Sequence, residues 1–584
     1  MRPVYKSKYT PWLLAVILLV TFLVYLPSLQ NGFTNWDDLE QVVDNKDIKT
    51  LGITGTKSIF SSFYVGMYQP VTTQLYAIVY NAFGEDAKAF HTFSLLLHLL
   101  NIILVFSLVR LFAREDTIAL ITAALFALNP MQTESVAWVS AMSNLLYTSF
   151  YLAGLITYLK YVRRAALKYL VFTFLLFVLS LLSKPTAVTF PIVILFIDLY
   201  LRRKVNLGLI IEKVPFLLLS ILIGIVIIYA REEAGHIIDI TERFGWGERI
   251  LMVFYAIAFY VTHLIAPTWL SAFHPYPLDG LPVDYYIAPL VTIMLVFLLF
   301  RLKGQEKRFV KAGFLFFLIT IAIVLELIPV GVQVVKERYI YLPSIGLYFA
   351  FSALMLFLFV GKFKRLPLLI TVLLVSTFSA ITVSRAAIWK DSLSLWNDVL
   401  EQYPEASAPL INRGNTWQEN GDMTKAIADY SMALVSEPAA ADAYTNRALA
   451  YYKLGNIEMA LKDFDRAIEL GLKDAATFSE RGLLRASAGM FSGANEDFLM
   501  ASEIEPLNVD YLTNLGLMYA KLEEYEPARE ALSRAIELDG SSAKAYYWRG
   551  MVQMQIKKYN AACDDMKIAI SLGWPVEQVP AFCR

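Results

Sequence analysis

Two adjacent carboxylates, Asp37 and Asp38, follow the first long apolar segment of the chain and stand directly after Trp36. A carboxylate beside a low-dielectric lipid phase has a raised pKa, so it can accept a proton from a hydroxyl nucleophile. The same pair could also be a solvated turn or a helix N-cap, as acids in polar loops often are. The sequence therefore predicts a candidate base here, without deciding which of the two acids would act.

Two cations are candidates for binding an anion on the same side of the membrane. Lys184 lies in a Ser-Lys-Pro turn between two apolar segments, and Arg338 precedes Tyr339 in a polar stretch near another apolar segment. A guanidinium grips phosphate oxygens as a fork, and a lysine can neutralise a lipid phosphate. For Lys184, snorkelling of the ammonium to the membrane surface is the alternative.

Glu134 and two histidines complete the set of chemically interesting side chains. Glu134 stands where an external helix is expected to begin, so the helix dipole alone could account for it. His91 and His98 lie seven residues apart on one face of one predicted helix. No third ligand follows at a metal-binding spacing, so we expect a hydrogen-bonding pair within the bundle rather than zinc. We predict no metal and no cofactor, and the need for a divalent metal stays open.

A carboxylate base with two cations at one membrane face suits the transfer of a group from a phosphate on a membrane lipid. Lys184 and Arg338 would neutralise the phosphate, which then leaves without a strong general acid. One carboxylate would suffice for direct displacement, which inverts the configuration at a transferred sugar carbon. These residues alone do not establish that the group is a sugar.

The composition places most of the chain in lipid. The sequence has 584 residues, of which 57% are hydrophobic, and its mean hydropathy of +0.52 lies above the range of soluble domains. Residues 401–584 carry 18 Lys and Arg against 27 Asp and Glu, whereas residues 1–400 carry 33 against 24. The acidic C-terminal part argues against nucleic acid as a partner.

Twelve apolar segments precede residue 386, and clusters of Lys and Arg between them mark the cytoplasmic side. The first segment, residues 11–29, is read as an uncleaved helix. Three segments lie between the clusters at 202–204 and 303–311, and an odd number of crossings cannot return to the same side. We therefore expect one non-spanning segment within 231–275 and about eleven crossings. This arrangement puts the first external loop, residues 31–88, and everything beyond residue 385 on the non-cytoplasmic side.

From residue 407 onward, the chain repeats every 34 residues, the period of tetratricopeptide helix pairs. Small residues, where paired helices touch, recur in register at Gly414, Ala448, Gly482, Gly516 and Gly550. The predicted fold is thus all-α: a polytopic membrane helical bundle over 1–385, a connector over 386–406, and five repeats with a C-terminal cap over 407–584. The groove of stacked repeats suits a polypeptide, which polar residues such as Asn446 could bind, and a solvated helix surface is the equal alternative.

Cys563 and Cys583 are the only cysteines of the sequence, and both lie near its C-terminus. Their proximity favours one disulfide that ties down the last helix, which requires an oxidising compartment. Two unrelated buried thiols are the alternative.

Several short motifs occur in an order that is similar to one known family. They are Asn35-Trp36-Asp37-Asp38 with Asn45, Tyr68-Gln69-Pro70, Phe90-His91, the stretch from Pro130 to Trp138, Ser183-Lys184-Pro185, and Glu337-Arg338-Tyr339 continuing to Ser344. Over nearly its whole length, the chain resembles the transmembrane and tetratricopeptide-repeat O-mannosyltransferases and their bacterial relatives. That family is similar in turn to the GT-C class of glycosyltransferases.

The resemblance implies a GT-C-like bundle, a polyprenyl-phosphate sugar as donor, and Ser or Thr hydroxyls of exported proteins as acceptors, held in the repeat groove. It implies a bacterial inner membrane, with the repeats on the periplasmic side. The residues to which it assigns roles are Asp37 and Asp38 for catalysis, Lys184 and Arg338 for the donor phosphate, and Trp36, His91, Glu134 and Tyr339 as further site candidates.

Two departures from the family pattern remove cations near the expected site. Gln69 stands where relatives usually have arginine before proline, and Ala141-Met142-Ser143-Asn144 replaces a Gly-Arg-Lys-Asp stretch. The departures leave open an altered donor or a member that no longer catalyses.

Two other functions remain as alternatives. A non-catalytic membrane scaffold would use the repeats to gather envelope proteins, but it leaves twelve apolar segments and the grouped charges unexplained. A transporter predicts polar residues deep within helices and symmetry between two halves, and no such symmetry is visible.

Overall fold

Two units divide the computed structural model of the chain, Met1–Pro404 and Glu405–Arg584. The structure describes residues 8–233, 243–277, 280–302, 307–325, 327 and 331–583. The first unit contains the apolar segments and the candidate site, and the second unit contains the repeats.

Helices build almost all of the first unit, because apolar segments in a membrane must satisfy their backbone hydrogen bonds internally. The α-helices of this unit are Thr10–Tyr25, Ile53–Ser61, Pro70–Phe83, Ala87–Ala113, Asp116–Leu128, Thr133–Ala137, Met142–Arg164, Leu167–Ser183, Phe190–Tyr200, Leu207–Glu233, Trp246–His263, Val283–Arg301, Lys307–Ile321, Ser344–Leu358, Leu366–Ala387 and Ser392–Gln402. Short 3₁₀ turns near the candidate site lie at Val139–Ala141, Pro185–Thr189 and Glu337–Ile340.

Within the described residues, five helical stretches are long and apolar enough to cross a membrane. They are Thr10–Gln30, Ala87–Ala113, Val139–Arg164, Leu207–Ala230 and Leu366–Lys390. Shorter apolar helices accompany them. The predicted helical membrane bundle is confirmed. The eleven crossings stay a prediction, and residues 234–242 of the expected non-spanning segment lie outside the described residues.

The described part of the chain contains one small antiparallel sheet of two strands. Its strands are His274–Pro275 and Gln333–Val335, with His274 opposite Val335. The second strand leads directly into the turn Glu337–Ile340, so the sheet determines where Arg338 enters the unit.

The first unit contains a neutral ion cluster of two acids, Asp198 and Glu212, and two cations, Arg203 and Lys213. The buried Asp198 accepts from Arg203 at 3.0 Å and from Lys213 at 2.8 Å, and the Tyr158 hydroxyl donates to the same carboxylate at 2.5 Å. Asp198 lies near the C-terminal end of Phe190–Tyr200, whose N-terminal end follows the Lys184 turn. These charges are therefore satisfied among themselves and lie away from Lys184.

Helix pairs build the second unit, and each pair corresponds to one 34-residue repeat. The helices are Ser407–Glu419, Met423–Ser436, Ala441–Lys453, Ile457–Glu469, Ala475–Ser487, Phe491–Ile504, Val509–Lys521, Tyr525–Leu538, Ala543–Gln555 and Tyr559–Ser571. Close approach explains the small residues: a Cβ added at Gly414 would lie 2.5 Å from the ring of Tyr430. The predicted tetratricopeptide fold is confirmed. Asn446 donates to Asn415 at 3.0 Å, so this groove amide already has a partner within the repeats.

A disulfide joins Cys563 to Cys583, with the two Cα atoms 4.7 Å apart. It connects the last repeat helix to the C-terminal turn Ala581–Cys583. Of the two alternatives that the sequence left open, the structure therefore has the disulfide.

Ion pairs recur inside the repeats at a constant spacing of sixteen residues. The pairs are Arg413–Asp429, Arg447–Asp463, Arg481–Asp497 and Arg549–Asp565. In the fourth repeat the corresponding residues are Leu515 and Ala531, so the arginine and its acid are absent together. This is the pattern expected when removing one partner of a buried pair costs more than removing both.

Breaking one of these pairs should loosen its repeat more than replacing the whole pair. In Asp463→Ala, Arg447 keeps its charge with only the hydroxyl of Ser431 to bond, so we expect the repeat to lose about 2 kcal/mol of local stability. Amide hydrogen exchange of residues 441–469 in the intact protein would then be about 30-fold faster. The double variant Arg447→Leu/Asp463→Ala copies the fourth repeat and should recover most of this loss. Equal exchange in the single and double variants would contradict the interpretation.

Candidate functional site

Asp38 fastens the first external loop to the turn before the helix Met142–Arg164. One carboxylate oxygen accepts from the backbone N–H and the hydroxyl of Thr34, at 2.9 and 3.0 Å. The other accepts from the backbone N–H and the hydroxyl of Ser140, at 2.9 and 2.5 Å. Burial raises the pKa of Asp38, and these four donors oppose that rise by stabilising the carboxylate. All four acceptor positions of Asp38 are used to hold the loop against the turn of Ser140, and Asp38 is called a clamp in this sense.

The same loop is fastened a second time, to the segment 386–396. The Gly32 N–H donates to the carbonyl of Lys390 at 2.8 Å, and the Asn35 N–H donates to the hydroxyl of Ser392 at 2.9 Å. The Trp396 indole donates to the Asn35 side chain at 2.7 Å. Two independent attachments therefore hold the backbone on either side of Trp36.

Asp37 differs from its neighbour because its carboxylate makes no hydrogen bond within the described part of the chain. The residue is half-buried. Burial raises its pKa to about 7, while the charge of Arg338 and, more weakly, that of Lys184 lower it. A carboxylate that titrates near neutrality and has free lone pairs can accept a proton.

Arg338 is held by Glu134. The backbone N–H of Arg338 donates to the Glu134 carboxylate at 2.7 Å, and its guanidinium forms an ion pair with the other carboxylate oxygen. Burial raises the pKa of Glu134, and the charge of Arg338 opposes that rise. Glu134 lies in the first turn of the short helix Thr133–Ala137, as expected at a helix start, and its carboxylate also positions Arg338.

Aromatic rings surround the Arg338 guanidinium. Its Cζ atom lies 5.3 Å from the ring centre of Trp36, 5.1 Å from that of Trp138 and 5.3 Å from that of Tyr339. Trp36 stacks on Trp138 at 4.9 Å, and Trp138 stacks on Trp389 at 5.4 Å. Packed aromatic faces stabilise a desolvated cation, so Trp36 and Tyr339 help to position Arg338.

Lys184 is buried, with 7% of its surface exposed, so it does not snorkel to the membrane surface. Its ammonium donates to the side-chain oxygen of Asn144 at 2.7 Å and lies 5.4 Å from the ring centre of Tyr339. It forms no ion pair with the residues that the structure describes. Burial, followed by the charge of Arg338, lowers its pKa to about 7. Such a lysine favours an anionic ligand, which would restore its charge.

The structure thus gathers six of the predicted residues around one site: Trp36, Asp37, Glu134, Lys184, Arg338 and Tyr339. Asp38 belongs to the same loop as a clamp. His91 contacts the same loop, with its Nε2 atom 3.3 Å from the carbonyl oxygen of Gly32.

The expected hydrogen-bonding pair of histidines is wrong in one respect, because His91 and His98 do not bond to each other. Seven residues place them two helical turns apart, and each has its own partners. His98 contacts the hydroxyl of Tyr341 at 2.7 Å and the carbonyl of Ala127 at 3.0 Å. Among the described residues, no group of three His, Cys, Asp or Glu side chains is arranged to hold a metal.

Gln41 is a site residue that the sequence motifs missed. Its backbone N–H donates to the carbonyl of Asp37 at 3.0 Å, and its side chain contacts that of Gln69. Its position four residues after Asp37 in a helical turn was the signal that could have revealed it. Glu337 was also missed as a positioning residue: it accepts from the backbone N–H of Ser271 at 2.8 Å.

Comparison with protein families gives matches in both units. Residues 69–230 match the family described as dolichyl-phosphate-mannose-protein mannosyltransferase. Residues 414–455, 441–471 and 516–557 match tetratricopeptide repeats. The first match covers the helices that present Lys184, and the others cover repeat helices.

Curated proteins and a solved structure give further likenesses. The chain is 23% identical to the protein O-mannosyl-transferase TMTC1 of Homo sapiens, over 71% of this chain and 54% of that protein. It is 25% identical to a protein O-mannosyl-transferase of Caenorhabditis elegans, over 73% of this chain and 63% of that protein. The crystal structure of YrrB, a TPR protein with an unusual peptide-binding site, matches 30% of this chain and 92% of its own, with 21% identity and a TM-score of 0.30.

The chain spans a little over half the length of the curated relatives it matches. Within that span, the mannosyltransferase match and the repeat matches follow each other in the order that the sequence motifs predicted. The resemblance of this chain to the transmembrane O-mannosyltransferases with tetratricopeptide repeats is therefore confirmed.

Proposed function

We propose that the protein is a membrane glycosyltransferase that moves a sugar, mannose in the first instance, from a polyprenyl phosphate to Ser or Thr hydroxyls of exported proteins. One observation carries the proposal: a half-buried carboxylate without hydrogen bonds in the described structure, Asp37, shares a site with the buried Lys184 and the largely buried Arg338. The mannosyltransferase match over residues 69–230 supports a sugar as the transferred group.

In the proposed reaction, the acceptor hydroxyl oxygen attacks the anomeric carbon of the sugar. A new carbon–oxygen bond forms to the acceptor, and the bond from the same carbon to the phosphate oxygen breaks. The electron pair stays on the leaving phosphate, which Lys184 and Arg338 stabilise, and the acceptor proton goes to Asp37. The products are a glycosylated polypeptide with inverted configuration and a polyprenyl phosphate.

Asp37 is the better candidate for the base, because Asp38 already accepts four hydrogen bonds from Thr34 and Ser140. A carboxylate saturated in this way is a poor proton acceptor, since protonation would cost it two of those donors. In the proposal, Asp38 holds the loop and Asp37 performs the proton transfer.

The repeat unit would bind the acceptor polypeptide on the non-cytoplasmic side, the side predicted for Asp37. The disulfide between Cys563 and Cys583 supports this placement, because disulfides persist in oxidising compartments such as the bacterial periplasm. The stacked helix pairs of this unit form an extended surface of the kind that binds polypeptides.

Replacing Asp37 should strongly slow transfer without disturbing the loop. The amide that Asp37→Asn introduces cannot accept a proton, so we expect kcat to fall about 10²–10⁴-fold in a transfer assay with polyprenyl-phosphate mannose and a Ser/Thr peptide. Hydrogen exchange of residues 31–45 should stay as in the wild type.

The matched control is Asp38→Asn, which should speed exchange of residues 31–45 because an amide N–H₂ faces donors that need an acceptor. Unchanged transfer by Asp37→Asn would remove Asp37 as the base. Absence of transfer in the wild type and unchanged glycosylation in cells lacking the gene would favour the membrane scaffold.

The pH dependence of transfer should pass through a maximum close to pH 7. Asp37 must be deprotonated to act as base, so activity rises as the pH increases through its pKa of about 7. Lys184 must be protonated to stabilise the phosphate, so activity falls as the pH increases through its pKa of about 7. In Lys184→Arg the guanidinium stays charged, and the alkaline limb of kcat/KM should move upward by more than one pH unit. An alkaline limb that does not move would show that Lys184 is not the titrating cation.

A further inference from the structure

Gln41 and Gln69 form a buried amide pair with unused hydrogen-bonding groups. The side-chain N–H₂ group of Gln69 donates to the side-chain oxygen of Gln41 at 3.1 Å. Gln41 is 2% exposed and Gln69 is 1% exposed. The Gln41 N–H₂ group and the Gln69 side-chain oxygen make no hydrogen bond within the described structure. Reversing both amides exchanges the roles and still leaves one donor group and one acceptor oxygen unpartnered.

Asn144 adds a third buried amide with the same property. Its oxygen accepts from the ammonium of Lys184 at 2.7 Å, while its N–H₂ group has no partner among the described residues. Only 2% of Asn144 is exposed. Because buried polar groups without partners destabilise a fold, three such amides in one region call for a ligand.

Hydrogen bonds connect these amides to the elements that carry the proposed base and the proposed phosphate-binding lysine. Gln41 follows Asp37 by one helical turn, through a backbone hydrogen bond of 3.0 Å. Gln69 caps the helix Pro70–Phe83, whose first turn is fixed by the Thr72 hydroxyl donating to the carbonyl of Ser183, at 2.8 Å. Ser183 directly precedes Lys184, so the Gln41–Gln69 pair connects the turn of Asp37 to the helix end at Lys184.

The unpartnered groups identify the chemistry of the ligand. A phosphate diester has only acceptor oxygens, so it cannot satisfy the orphaned carbonyl oxygen of the amide pair. Water or a hydroxyl group can donate to that oxygen and accept from the N–H₂ groups of Gln41 and Asn144. A neutral sugar carries several hydroxyls at fixed positions, and a direct displacement requires the sugar to lie between base and phosphate.

We propose that Gln41, Gln69 and Asn144 form the subsite that binds the hydroxyls of a neutral hexose on the lipid-phosphate donor. This inference rests on the proposed function and names the residues that select the sugar. The cations hold the phosphate, and the amides distinguish a glycosylated lipid phosphate from the bare lipid phosphate that remains after transfer. Product release follows from the same contacts, since the bare lipid lacks the hydroxyls that the amides bind.

The test compares two ligands on the purified full-length protein in detergent: a short-chain isoprenyl phosphate, and the same lipid phosphate carrying mannose. The variant is Gln41→Met/Gln69→Met, which removes both amides and keeps the side-chain volume. The matched control is Gln553→Met, because Gln553 is also buried with an unpartnered side-chain oxygen but lies in a repeat helix. Binding constants and thermal unfolding midpoints are measured for each protein.

We expect the wild type and the control to bind the mannosyl lipid about ten-fold more tightly than the bare lipid. The double variant should bind both ligands equally, with unchanged affinity for the bare lipid. Its midpoint without ligand should stay equal or rise, because a pair that serves only the fold would lower it when removed.

Two results would overturn the inference in distinguishable ways. If the wild type binds both lipids equally, or if the double variant keeps the preference for the mannosyl lipid, the amides hold only water and the proposed function is unaffected. If the wild type binds neither lipid phosphate, the proposed function fails and the sugar subsite fails with it.

Discussion

The hydrogen bonds that Thr34 and Ser140 donate to Asp38 determine the geometry of the whole candidate site. The bonds from Thr34 stay within the first external loop, and those from Ser140 tie that loop to a turn more than one hundred positions along the chain. Asp38 has helical backbone angles, and successive residues of a helical turn point about 100° apart. Once Asp38 faces its donors, Asp37 must face elsewhere, and two adjacent acids acquire different environments.

The two cations of the site differ in how the protein compensates their charges. The side chain of Arg338 is 13% exposed and contacts an acid, Glu134, and three aromatic rings, so its charge is compensated within the protein. Lys184 is also buried, but its contact at 2.7 Å is the neutral Asn144. A buried charge with incomplete compensation is costly, and the lowered pKa of Lys184 expresses that cost. In the proposed function, a bound lipid phosphate would give Lys184 the compensating negative charge that Glu134 gives Arg338.

How much the sequence could predict follows from the distance between interacting residues. The repeats were predicted in full register, because their small residues recur every 34 positions and this period is visible directly in the sequence. The acidic motif, Lys184 and Arg338 were also found, since each stands beside an apolar segment. The different environments of Asp37 and Asp38 were not predictable, because they depend on hydrogen bonds from the distant Ser140. The contact of Gln41 with Gln69 was not predictable either. Such pairings arise only after the helices have packed.

The repeats provide an internal standard for judging Lys184. Where a repeat has an arginine at the position of Arg447 it also has the matching aspartate, and in the fourth repeat Leu515 and Ala531 replace both. At this position of the repeats, a charge is thus either paired or removed. Lys184 is a buried charge without an ion pair among the described residues. An apolar residue in its place would avoid the cost of desolvating an ammonium. Its presence at a site shared with Asp37 is consistent with the proposed role of Lys184 in binding the donor phosphate.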